Sequence, residues 1–339
     1  MQKGKVTLKD ISKKVHVSTA AVSLALNDDR RITLSEKTRL LIKKTAKEMG
    51  YDYSRLESRR KESRNVLFVI DNWNKNHIST SFFSNVAVHL KSLLHPEGFH
   101  LIESEFNDTE SGQMKLLLES YPRIIVTSSL RFIRELRRSN SRVPVIFLQG
   151  DRRIIPKERL IAVLMVDDRR VGELAARELA ERNAHNCALV FPSDSIRCVQ
   201  QRIEGFSSFW LKMNKRMECL RIPELDKIDF MILNSIIRKT LGKFDSYYFF
   251  SDALALYGLK IFHDNGHSVP EDILVIGTDN LYWSEYSIPS LTTMDLKESQ
   301  FAQYILKEVL LDRKTARQQE SAISFSIQPD LIVRESTQR

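Results

Sequence analysis

The sequence predicts a helix-turn-helix headpiece, a basic linker and a two-lobed body of doubly wound α/β sheets. Three observations carry that expectation. The first is charge. Residues 1–64 hold 17 Lys/Arg and 8 Asp/Glu, the whole of the net +9, whereas residues 65–339 are balanced at 35 of each. The second is a series of capped, helix-spaced apolar residues between Thr7 and Gly50. The third is a change of rhythm at Asn65, after which short apolar runs alternate with amphipathic stretches. A chain of 339 residues accommodates two or three domains, and 42% hydrophobic residues suffice for full cores.

The headpiece elements follow from their caps. Thr7 with Asp10 three positions on is a capping box, and Leu8, Ile11 and Val15 then share one helical face. Ser18 caps a second helix whose Val22, Ala25 and Leu26 turn inward. Ser35 caps a third, with Thr38, Leu41, Ile42, Thr45, Ala46 and Met49 on one face, and Gly50 stops it. Three such helices make a helix-turn-helix module; a small dimerisation bundle is the competing reading. The charge asymmetry favours nucleic acid, although a basic membrane-surface arm has the same net charge. In the linker, Arg55, Arg59, Arg60, Lys61 and Arg64 suit an arm along phosphates or in a narrow A·T minor groove, or a solvated tether.

From Asn65 onward, strand candidates are residues 66–70, 100–104, 123–128, 144–149, 162–166, 187–191, 247–251 and 273–277. Most are continuous apolar runs, as strands buried on both faces should be. Helical stretches such as Val171–Glu181 and Ala253–Asn265 lie between them.

These residues also resemble a known family. Thr7, Asp10, Ile11, Val17, Ser18, Val22, Ser23, Leu26 and Asn27 fall on the pattern T-[IL]-x-D-[VI]-A-x-x-A-G-V-S-x-x-T-V-S-R-x-L-N of the LacI/GalR (lactose-repressor) family, and Ser35 to Tyr51 is similar to its third helix. Body segments 143–148, 166–172, 202–206, 249–255, 264–280 and 288–295 resemble the same family's core, which is similar to periplasmic sugar-binding proteins. The resemblance keeps its order from residue 6 to about 334. It implies a headpiece over 1–50, a hinge over 51–64 and an effector-binding and dimerisation core over 65–339. One lobe spans about 65–163 and 293–322, the other about 164–292 and 323–339.

The resemblance further implies a transcriptional regulator, most simply a repressor. It would bind a pseudo-palindromic double-stranded DNA operator as a homodimer and respond to a small-molecule effector, a sugar or sugar derivative, in the inter-lobe cleft. A regulator without a sugar effector, answering a protein partner or constitutive, is the alternative. Thr19 and Ala20 are implied to approach bases, with Leu24 and Asn27 on the same segment. Lys9, Ser18, Ser23, Arg30 and Arg31 are candidates for phosphate contact.

Departures from the family pattern are specific. His16 replaces the turn glycine, a substitution His tolerates because it enters positive φ more readily than most residues. Leu24 replaces an arginine that in many relatives contacts a base; it cannot make the bidentate bonds arginine makes to guanine, so it reads a thymine methyl or nothing. In the hinge, Arg60 takes the place of the leucine that wedges into the minor groove, with Leu56 one turn earlier as a substitute.

For the effector, Arg202 and Asp279 are the best-placed candidates: a guanidinium fork and a carboxylate that hydrogen-bond vicinal hydroxyls or a purine edge. A helix salt bridge for Arg202 and a strand-end cap for Asp279 compete with that role. Asp252 is a further candidate that also suits a helix cap. Trp73 and Phe83 could stack on a sugar face or serve loop and core.

Catalytic chemistry finds no foothold. No G-x-G-x-x-G follows a strand, and Walker A, H-E-x-x-H and G-x-S-x-G are absent. Cys187, Cys198 and Cys219 form no C-x-x-C pair, which points to reduced, buried thiols, with no metal or cofactor expected. The first ten residues lack an apolar signal core and no membrane-length apolar run occurs, so a soluble, cytoplasmic protein is expected.

Overall fold

The computed structural model describes residues 6–26, 34–51, 63–71, 81–106, 113–120, 122–139, 141, 143–150, 160–192, 197–222, 230–311 and 323–339. Its first three helices are α1 (Leu8–Val15), α2 (Thr19–Leu26) and α3 (Glu36–Glu48). They start where side chains relieve the orphan N–H groups of a first turn. Ser18 Oγ accepts from the Ala21 N–H at 3.0 Å, and Ser35 Oγ from the Thr38 N–H at 3.1 Å. The core is Ile11, Val22, Ala25, Leu26, Ile42 and Ala46, closed by half-buried Leu8, Val15, Val17, Met49 and Tyr51. One expected core position is corrected. Leu41 is exposed and Arg39 is buried, because the inward stripe of α3 runs through Arg39, Ile42 and Ala46, and Leu41 lies off its edge.

The remaining elements, in chain order, are β1 (Asn65–Asp71), α4 (Ser81–Leu94), β2 (His100–Phe106), α5 (Gln113–Glu119), β3 (Ile124–Thr127), α6 (Leu130–Arg138), β4 (Val145–Leu148) and β5 (Leu160–Val166). Then come α7 (Asp168–Glu181), β6 (Asn186–Pro192), α8 (Arg197–Trp210), β7 (Arg216–Ile222), α9 (Phe230–Arg238), β8 (Ser246–Phe249), α10 (Asp252–Asp264) and β9 (Leu274–Ile276). The chain closes with α11 (Tyr282–Tyr286), β10 (Thr293–Asp295), α12 (Glu298–Leu310), β11 (Ile323–Ile327) and β12 (Asp330–Ile332).

All eight expected strands form. Four more among the described residues do not stand out as apolar runs. β7 is an edge strand whose Arg216, Glu218 and Arg221 are exposed between apolar neighbours, while β10, β11 and β12 are short or polar.

The chain divides into two compact units, one of Met1–Asp71, Leu94–Ile146 and Arg153–Ile161, the other of Asn72–Leu93, Phe147–Arg152 and Ala162–Arg339. In the first, β1 pairs in parallel with β2 on one side and β3 on the other, Val66 standing opposite both Leu101 and Ile124. In the second, a parallel sheet has the order β7-β6-β8-β9, β11 runs parallel to β5, and β10 pairs antiparallel with β12. Parallel strands need helical crossovers, and the βαβ alternation supplies them.

The core of the second unit is aromatic: Phe191, Phe206, Trp210, Tyr247, Tyr248, Phe249 and Phe262 are all fully buried. Each such side chain contributes about 1.5–3 kcal/mol by leaving water. Their polar tips are met, with Trp210 Nε1 donating to the Arg216 carbonyl at 2.8 Å and Tyr247 Oη lying 3.0 Å from Thr240 Oγ1. The three cysteines are free, Cys187 buried and Cys198 and Cys219 half-buried. No described helix is long and apolar enough to cross a membrane.

Candidate functional site

In the headpiece, the turn between α1 and α2 is set by one residue. His16 adopts φ 55° and ψ 44°, the left-handed conformation expected of the glycine it replaces, and its N–H caps the Ser12 carbonyl. The Val17 N–H bonds the same carbonyl at 3.2 Å, and Ser12 Oγ donates to the Val17 carbonyl at 2.6 Å. Asp10 closes the capping box on Thr7 N–H at 2.8 Å and Thr7 Oγ1 at 2.6 Å. Those Thr7 hydrogen bonds hold the Asp10 carboxyl below its ordinary range.

With Val22, Ala25 and Leu26 turned inward, α2 presents Thr19 and Ala20 to solvent beside exposed Ser18, and half-exposes Ser23 and Leu24. Lys9 is exposed on α1. No residue of α2 is charged, and Thr19 and Ser23 are its two polar side chains. An outer face of this kind offers methyls and hydroxyls, not guanidinium forks. Asn27, Arg30, Arg31, Arg55, Leu56, Arg59 and Arg60 lie outside the described residues.

In the second unit, chemistry gathers at the carboxyl ends of β6, β8 and β9, where open α/β sheets bind ligands. Arg202 reaches it from α8. Its Nε donates to Asp168 Oδ1 at 2.8 Å, a terminal nitrogen donates to the Phe250 carbonyl at 3.1 Å, and its guanidinium carbon lies 4.8 Å from the Phe250 ring centroid. Both partners are about 4% exposed, so the salt bridge is internal and not on a helix surface. Burial is the largest influence and works against the guanidinium's charge, but Asp168 together with Cys198, Tyr248 and Asp279 overcomes it and holds Arg202 above its ordinary value.

Two glycines bring these helices together. A Cβ on Gly172 would meet the Arg202 carbonyl oxygen at 1.9 Å, and one on Gly205 the Arg169 carbonyl oxygen at 1.9 Å. The backbones of α7 and α8 therefore touch where the ion pair forms.

Asp279 follows β9 with φ 113°, a conformation costly for any side chain, and is held by its N–H donating to the Met294 carbonyl at 3.0 Å. It is buried, and its charge acts on Arg202 and Tyr248, so the two leading candidates share one neighbourhood.

Asp252 is occupied otherwise. Its Oδ2 accepts from the Leu281 N–H at 2.9 Å and Ser284 Oγ at 2.6 Å, and its Oδ1 from Thr293 Oγ1 at 2.6 Å. It straps α10 to α11 and β10. Burial pushes its carboxyl up against those three bonds.

Phe83 is half-buried on α4, edge-on to Phe82 at 5.2 Å between centroids; Trp73 lies outside the described residues. Asp168, Tyr248 and Phe250 complete the cluster without having been singled out as site residues. The signal for Asp168 was present in the V-D-D-R-R-V-G segment, but a partner 34 residues away cannot be read from spacing. Among the described residues no group of His, Cys, Asp and Glu could hold a metal ion.

Residues 7–53 match the model of the bacterial regulatory proteins of the lacI family, and residues 176–337 that of the periplasmic binding protein-like domain. The HTH-type transcriptional repressor PurR of Aliivibrio fischeri is 24% identical over 97% of this chain and 98% of its own. The HTH-type transcriptional regulator DegA of Bacillus subtilis is 23% identical over 98% of each. The lac repressor dimer bound to operator and the anti-inducer ONPF shares the fold at a TM-score of 0.64 and 19% identity, over 99% of this chain and 100% of that one. The transcriptional regulator CelR in its cellobiose complex does so at 0.64 and 18%, over 98% and 100%.

Proposed function

We propose that the chain is a member of the lacI family of bacterial regulatory proteins and a DNA-binding transcriptional repressor, acting on a pseudo-palindromic operator as a homodimer under the control of a small ligand. The observation that carries this reading is the turn at His16. A left-handed residue there lets α2 leave α1 at the angle a helix-turn-helix needs, with Thr19 and Ala20 outermost.

In this reading Thr19, Ala20 and Leu24 face the major groove and sense methyls and shape, and Ser23 contacts a phosphate. Lys9 and Ser18 contact phosphates. The basic residues outside the described segments, Arg30, Arg31, Arg55, Arg59 and Arg60, extend those contacts, with Asn27 and Leu56 beside them. The protein works in the cytoplasm, where the DNA is, and does no catalysis.

The ligand class is a sugar or sugar derivative, held at the carboxyl ends of the strands near Arg202 and Asp279. Buried Arg202 serves with the nitrogen edge that Asp168 leaves over, Asp252 acts through the loop it straps, and Phe83 and Trp73 are stacking candidates. Support for a homodimer comes from exposed apolar surface. Tyr282 and Trp283 are each 67% exposed, with Tyr286 and Ile288 beside them. A patch of this kind marks an interface.

Selection of random duplexes by the full-length protein at near-physiological salt tests the reading. An enriched two-fold-symmetric motif whose binding a sugar alters is the expected result. Absence of any duplex binding overturns it.

A further inference from the structure

Helix α6 is sharply two-faced. Phe132, Ile133 and Leu136 are buried, while Arg131, Arg134, Arg137 and Arg138 are exposed on the other side with Glu135 half-buried among them. Four arginines in nine residues are a local excess, because the chain beyond residue 64 carries no net charge. A last-turn arginine answers the helix dipole, which accounts for Arg137 and Arg138 but not for Arg131 and Arg134.

The direction of α6 follows from its ends. Its N-cap Ser129 donates through Oγ to Asp71, the last residue of β1, at the carboxyl edge of the sheet. Five residues past its C-cap Ser139, the Pro144 carbonyl accepts from the Ile125 N–H at 2.9 Å, at the amino edge. The helix thus returns its Arg137 and Arg138 to the amino edge. Arg64 and Arg123 stand on that edge, their guanidinium carbons 5.0 and 5.6 Å from the Phe99 ring centroid. Among the described residues, Glu97 and Glu119 are the acidic ones that lead into that edge, and Glu135 pairs with Arg138. Arg64 is also the point where the tether arrives: eleven residues, 52–62, lie between the described end of the headpiece side and Ser63.

We propose that the outer face of α6, with Arg64 and Arg123, is a second phosphate-contacting surface, by which the body of the protein grips the DNA backbone beside the site read by the headpiece. The proposal rests on the DNA-binding reading. Duplex DNA is the partner favoured over an acidic protein for two reasons. The surface shares the edge to which the headpiece is tethered, and no large apolar side chain is exposed on α6 to form the core a protein interface needs. Arginine forks match phosphate oxygens bidentately, and each phosphate neutralised releases condensed counterions.

The test is the salt dependence of binding by the full-length protein to a random-sequence duplex of about 40 base pairs, long enough to pass beyond a helix-turn-helix site. The variants are Arg134→Gln/Arg137→Gln, which spares the Arg138–Glu135 pair, and Arg134→Glu, which inverts one charge. Circular dichroism and thermal unfolding confirm that both fold. The expected result is a slope of log K against log salt shallower by about 1 for each phosphate no longer neutralised, with weaker binding at low salt and a larger reduction for the Glu variant. Wild-type slope and affinity in both folded variants overturn the proposal and leave the DNA reading intact. A wild-type protein that binds no duplex at all overturns both.

Discussion

The Arg202 guanidinium and the Asp168 carboxylate meet at 2.8 Å inside the second unit, and the contact exists because Gly172 and Gly205 let α7 and α8 lie backbone against backbone. Removing one member strands the other without water. Asp168→Asn should therefore destabilise the protein by about 3–5 kcal/mol, the usual cost of an orphaned buried charge. Urea unfolding at neutral pH measures it, and a change below about 1 kcal/mol would mean the pair is not insulated from solvent.

The glycine contact makes a separate prediction. Gly172→Ala and Gly205→Ala each put a methyl 1.9 Å from a backbone oxygen that cannot swing aside, so α7 and α8 must separate. Each should cost about 1–3 kcal/mol. If the effector site depends on Arg202, ligand affinity should fall in the same variants. Thermal unfolding with and without ligand separates the two effects, and full stability in both variants would contradict the close approach.

Stability should also respond to pH through Glu298, at the first position of α12. The side chain is buried with Oε1 unpartnered among the described residues, and burial, aided by the charges of Asp295 and Asp252, pushes its carboxyl up to about 7. An acid whose folded pKa is raised binds more protons folded than unfolded, so its contribution is full below about pH 4.5 and is lost as pH rises to about 7. Glu298→Gln should match wild type at pH 4 and exceed it by up to about 3 kcal/mol at pH 8. Parallel stability curves for the two proteins across that range would refute the assignment.

Readout by α2 is expected to change with a single side chain. Leu24→Arg puts a fork where a half-buried aliphatic stands, and a bidentate guanine contact is worth about 1–3 kcal/mol of discrimination. Duplex selection should then enrich guanine at one position in each half-site that the wild type leaves unspecified. An unchanged motif would place Leu24 away from the bases.

Assembly should depend on the aromatic patch of the second unit. Tyr282 touches both Tyr286 and Trp283, at 4.8 and 5.4 Å between ring centroids. Trp283→Lys is expected to raise the dimer dissociation constant at least tenfold, as removal of a large interface aromatic does. Analytical ultracentrifugation reads this directly, and an unaltered dimer would move the interface elsewhere.

Whatever depends on neighbours along the chain is legible in the order of residues. Thr7, Ser18 and Ser35 cap the three helices they precede, His16 takes the left-handed turn, and eight apolar runs become strands, because caps, turns and hydrophobic periodicity act over a few residues. β7 escaped because an edge strand alternates its polarity with solvent, and Leu41 was misplaced because a stripe one position wide is decided by what packs on it.

The wiring of the candidate site came only with three-dimensional packing. Arg202 is legible as a residue that could bind a ligand, but that Asp168 and the Phe250 carbonyl engage it, that Asp252 has become a strap, and that Asp279 sits in a strained conformation follow from contacts tens of residues apart. Such pairings are set by the packing of whole helices and sheets, which no local pattern encodes, and burial then fixes how strongly each charge is felt.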